Sequence, residues 1–106
     1  MDGDTKKVFF SLYKEAEAKC MGYPLQQALT ETESKLLYNQ IFESTGLVIG
    51  WKSLKNFSLF VYNENAKEEN PSIATLDTLA RYVLNAPYTS ETERKKNENH
   101  FPYWFK

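Results

Sequence analysis

The sequence predicts an all-α fold, a compact bundle of four to five helices. Three observations carry this. Apolar residues recur at helical spacing in four separate segments of the 106-residue chain. No stretch alternates at period two for long enough to build a sheet; "LVIGW" is β-prone by composition, but five residues between two helices make only a short extended turn. Hydrophobic residues make up 42% of the chain, which is enough to give one domain of this length a core.

The first helix is predicted over Lys6 to Met21, where Phe9, Leu12, Tyr13, Ala16 and Cys20 fall on one side. Gly22 and Pro24 end it. The second opens at "LTETE", where Thr30 and Glu33 have the spacing of a capping box, and Leu37, Ile41 and Phe42 form its stripe. Gly46 is its left-handed stop. The third begins near Gly50 or Trp51 and runs to about Phe60, with Leu54, Phe57 and Val61 on one side. Lys52 and Asn56 point the opposite way, with Lys55 beside them.

The polar stretch "NENAKEEN" has no periodicity and is a surface loop. "NPSIATLDTLARYVLNAP" is the clearest helix. Ser72 is its N-cap, its stripe is Ile73, Leu76, Leu79, Ala80 and Val83, and Pro87 closes it. Residues 1–87 therefore form the helical domain. Residues 88–106 form a polar linker or helix, with Ser90 and Glu93 at capping-box spacing, followed by an aromatic tail. Phe101, Tyr103, Trp104 and Phe105 crowd that tail, as an interface anchor or as the start of a further region.

Charge and reactive groups narrow the function. Thirteen Lys and Arg stand against fourteen Asp and Glu, so the chain is near neutral, and any basic face must be local. Cys20 is the only cysteine, which excludes an internal disulfide and a cysteine-based zinc site; its neighbours predict a buried, inert thiol. "MDGDTKK" is not followed by a signal-length apolar run, and no window approaches the ~18 apolar residues of a membrane span, so a cytoplasmic protein is expected. His100 is alone in the tail, and no nucleophile elbow, phosphate loop, dinucleotide fingerprint or HExxH stands in the chain. Neither catalysis nor a cofactor is expected.

The order from Ile41 to Leu84 is helix, glycine, apolar turn, short basic helix, loop, then "NPSIATLDTLARYVL". That last stretch resembles the closing segment of the lambda-repressor-like (Cro/C1-type) helix-turn-helix family, in which Pro-Ser opens a helix of the form T-L-x-x-L-A-x-x-L. Asn70, Pro71, Ser72, Thr75, Leu76, Leu79, Ala80 and Val83 or Leu84 match it. "TGLVIGWKSLKNF" is similar to the signature of a bacterial variant found at the N-terminus of multidomain proteins, TG-(apolar)-x-(apolar)-S-x-x-[ST]-L-K-R-F.

The resemblance implies a helix-turn-helix with a lengthened turn, because Leu54 and Phe57 sit about two residues later than in the tight form. It implies double-stranded DNA as partner and transcription regulation as role. Trp51, Lys52, Lys55 and Asn56 would face the major groove, with Ser53 at the edge and Lys35 as a phosphate contact. Two further departures stand out: Phe42 occupies a position where a small residue is usual, and Asn56 stands where the variant carries arginine. Trp51 also has a plainer role, packing against a neighbouring side chain. The alternative function is a helical protein-protein interaction domain with no DNA binding, either as a homodimer or through the aromatic tail.

Overall fold

A computed structural model describes residues 3–97. Among them are five helices and no strand: α1 (Gly3–Met21), α2 (Glu31–Thr45), α3 (Trp51–Tyr62), α4 (Ile73–Val83) and α5 (Glu91–Asn97). The tail aromatics and His100 lie outside the described residues. Helix α2 packs against α3 and α4, while α1 crosses α4, α2 and α3. All-α is the architecture, and α1–α4 supply its core.

Local chemistry sets most of the helix ends. Thr30 caps α2 through the full reciprocal box: its Oγ1 accepts from the Glu33 N–H at 3.1 Å, and Glu33 Oε1 accepts from the Thr30 N–H at 2.9 Å. Ser72 Oγ accepts from the Thr75 N–H at 3.1 Å and starts α4, as Ser90 Oγ does for α5 from the Glu93 N–H at 3.1 Å. Helix α1 starts at Gly3, three residues ahead of the predicted Lys6, because Asp4 in its first turn suits the helix dipole and nothing there breaks the helix.

Helix α4 ends at Val83, well before Pro87. Asn85 takes a left-handed φ of 54°, and Ala86 N–H donates back to Arg81 O at 2.9 Å, which closes the helix without the proline. Lys19 of α1 donates to Tyr82 O and Asn85 Oδ1 at that end, placing a cation where the helix dipole is negative.

The core is strongly aromatic where α1 meets α3. Phe9 lies 5.6 Å from Phe57 edge-on and 6.2 Å from Phe60, and Tyr13 lies 6.1 Å from Phe57. The Tyr13 hydroxyl donates to Leu54 O, so the ring is satisfied at both its apolar and polar ends. Leu12, Leu37, Ile41, Leu54 and Leu79 are fully buried among these elements, each contributing about 1.5–3 kcal/mol on burial.

Four expectations about the stripes need correction. Phe42 is 43% exposed, because the buried row of α2 runs through Ser34, Leu37, Ile41 and Thr45 and leaves Phe42 at the rim. Ile73 is 55% exposed, since it sits at the helix start, ahead of the row Leu76, Leu79 and Ala80. Val83 and Cys20 are only half-buried at the edge of the core.

Two connections reach across the chain. Gly46 has φ +80°, the left-handed stop the sequence implies, and it also lies under the α4–α5 connector. A Cβ there would stand 1.8 Å from Thr89 O and 2.9 Å from the Tyr88 ring. Thr89 N–H donates to Thr45 O at 2.9 Å, while Thr45 Oγ1 donates to Ile41 O and accepts from the Leu47 N–H. Second, Arg94 of α5 is buried against α4. Its Nη1 donates to Asp77 Oδ2 at 2.9 Å, Thr78 Oγ1 at 2.7 Å and Ala74 O at 3.1 Å, and Arg81 Nε donates to the same carboxylate at 2.9 Å.

Gly46→Ala should lower unfolding free energy in urea by about 2 kcal/mol or more, since the left-handed penalty adds to a backbone clash. A loss below about 0.5 kcal/mol would show that the connector does not rest there. Arg94→Ala should cost about 2–3 kcal/mol, less than a fully broken buried pair because Arg81 still holds Asp77. Thermal unfolding of Arg94→Ala at wild-type temperature would contradict the α4–α5 tie.

Candidate nucleic-acid interface

Helix α3 is set on the bundle by its own pattern. Leu54, Phe57, Ser58, Phe60 and Val61 face inward, and this rotation turns Lys52, Ser53 and Asn56 into solvent. Lys55 is half-buried at the edge of that face. The turn before α3 is anchored by Leu47 and Ile49, both buried, while Val48 between them is 52% exposed. Gly50 precedes α3 with no side-chain cap, so the first N–H groups of the helix have no capping side chain.

Trp51 and Lys35 come together although they lie on different helices. Lys35 Nζ lies 4.8 Å from the Trp51 ring centre and Lys52 Nζ lies 5.8 Å from it. The half-buried indole therefore has two ammonium groups within 6 Å of its ring centre, each contact worth about 0.5–1 kcal/mol at an exposed site. Lys35 also pairs with Glu31 at 3.2 Å one helical turn back, an exposed pair of small energetic value. Trp51 thus packs against neighbouring side chains. All six predicted site residues belong to α3 or the facing part of α2.

The charge distribution on α3 differs from the chain as a whole. Its twelve residues, WKSLKNFSLFVY, carry two lysines and no carboxylate. Lys52 and Lys55 form no ion pair among the described residues. Asn56 borders a recess of about 150 Å³ shared with Leu59, Ala66, Lys67 and Glu69 of the following loop. A second recess of about 290 Å³ lies between Lys6, Phe10, Phe60, Val61, Tyr62 and Glu64.

Among the described residues no three His, Cys, Asp or Glu side chains converge as a metal site, and no helix is long and apolar enough to cross a membrane. Burial pushes the Cys20 thiol pKa up, which keeps it protonated and poorly nucleophilic.

Sequence reasoning missed the buried polar residues Glu17, Ser58, Asp77 and Arg94. Glu17 carried a signal, since it lies one turn from both Tyr13 and Cys20 on the apolar side of α1. Asp77 and Arg81 also stand at i, i+4 on α4, but Arg94 is distant in sequence and gives no local cue.

Comparison with known proteins finds no match to this chain among family models, curated proteins or solved structures.

Proposed function

We propose that the chain is a DNA-binding helix-turn-helix module, of the kind that serves a transcriptional regulator, with α3 as the helix that enters the major groove. One observation supports this reading: in a chain with more acids than bases, α3 carries two lysines and no carboxylate, and Lys52, Ser53 and Asn56 face solvent on its first two turns. Asn56 can pair with adenine through two hydrogen bonds, Lys52 and Lys55 can donate to guanine or phosphate, and Ser53 can reach either. Lys35, held over Trp51, extends the cationic strip onto α2 toward the flanking backbone. The reading assigns no catalysis and no cofactor.

A protein-interaction role is the second reading. It is favoured by the exposure of Phe42, Val48 and Tyr88, the last 65% exposed, around the α2–α3 turn and the connector. Apolar side chains there suit another protein rather than phosphate.

Fluorescence anisotropy with mixed-sequence duplex DNA separates the two. DNA binding predicts a complex at low salt that weakens by at least tenfold between about 50 and 200 mM salt. Lys52→Glu with Lys55→Glu should abolish it while circular dichroism stays that of the wild type. Binding that survives both charge reversals, or no binding at tens of micromolar protein, removes DNA as the partner.

A further inference from the structure

Glu17 is fully buried on α1, and its carboxyl joins three segments. Oε2 accepts from the Ser58 hydroxyl of α3 at 2.8 Å, and Ser58 Oγ accepts from the Leu29 N–H of the α1–α2 connector at 2.8 Å. Oε1 is buried with no donor in hydrogen-bonding geometry. An ionised carboxylate has about four acceptor positions to fill, and one buried hydroxyl fills few of them. The neutral acid needs fewer donors and tolerates the apolar surroundings.

The groups that face it do not supply a compensating cation at close range. Tyr13 and Cys20 lie on the same helix, Tyr62 approaches from α3, and Glu33 acts from α2. Lys14 on α1 is the one cation acting on it, and its pull is the weakest of the influences. Burial outweighs the hydrogen bond from Ser58 and the nearby Tyr62 hydroxyl and pushes the carboxyl from 4.5 up to about 7.

We propose that Glu17 is a proton-operated pin between α1 and α3: neutral, it seats α3 on the bundle; ionised, it loosens the turns of α3 around Ser58 and Tyr62. The proposal concerns the helix itself and holds whether α3 meets DNA or a protein. Between pH 4.5 and 7 the folded chain keeps a proton that the unfolded chain has released. Stability from this group is therefore present on the acid side and is lost as pH rises through the folded pKa.

A carbon-detected NMR titration of the wild-type Glu17 side chain, paired with amide exchange across α3 in wild type and Glu17→Gln, tests it. The expected midpoint is near 7. Exchange of the Ser58–Tyr62 amides, corrected for the intrinsic rate, should rise on the order of tenfold from pH 5.5 to 8 in wild type and stay level in Glu17→Gln. A midpoint near 4.5, or the same rise in both proteins, overturns the pin. The titration needs no variant, so it decides even where Glu17→Gln does not fold.

Discussion

Much of the molecule depends on the Thr45–Gly46 turn. Thr45 closes α2 onto itself and holds Leu47, two residues on, through one hydroxyl, while its carbonyl receives Thr89 from 44 residues away. Gly46 then supplies the left-handed backbone and the empty space in which that distant connector lies. The turn thus ends α2, directs Leu47 and Ile49 into the bundle, and starts α3 at a set orientation. It also ties the chain beyond α4 to the α2–α3 pair. No side chain other than hydrogen fits both demands.

From that turn, the aromatic seam between α1 and α3 decides what the outside of α3 looks like. Phe9 and Tyr13 accept only one rotation of Phe57 and Phe60, because ring pairs at 5.6–6.2 Å leave little room for another. With Leu54, Phe57, Phe60 and Val61 turned inward, Lys52, Ser53 and Asn56 point out. The polar face is a consequence of the packing. Its charge is a separate property of the residues at those positions, and the DNA-binding proposal draws on that charge.

The helices and their caps were legible in the sequence because they are local. Thr30 with Glu33, and Ser72 ahead of Ile73, announce helix starts through groups three residues apart. The outward placement of Lys52 and Asn56 follows from the wheel positions of Leu54 and Phe57. The position of Lys35 over Trp51 was not legible, since it depends on how α2 and α3 meet. Nor was the burial of Arg94 in a segment that reads as solvated polar sequence, because its partners Asp77 and Thr78 lie on another helix. Phe42 and Ile73 show the converse: an apolar side chain next to a stripe is not thereby inside it.

The α3 face is tested most directly by following backbone amide shifts of the folded chain as duplex DNA is added at low salt. DNA binding through α3 predicts shifts concentrated at Trp51 to Asn56 and around Lys35, reversed by added salt. Shifts confined to Phe42, Val48 and Tyr88, or none along α3 at saturating DNA, would contradict it.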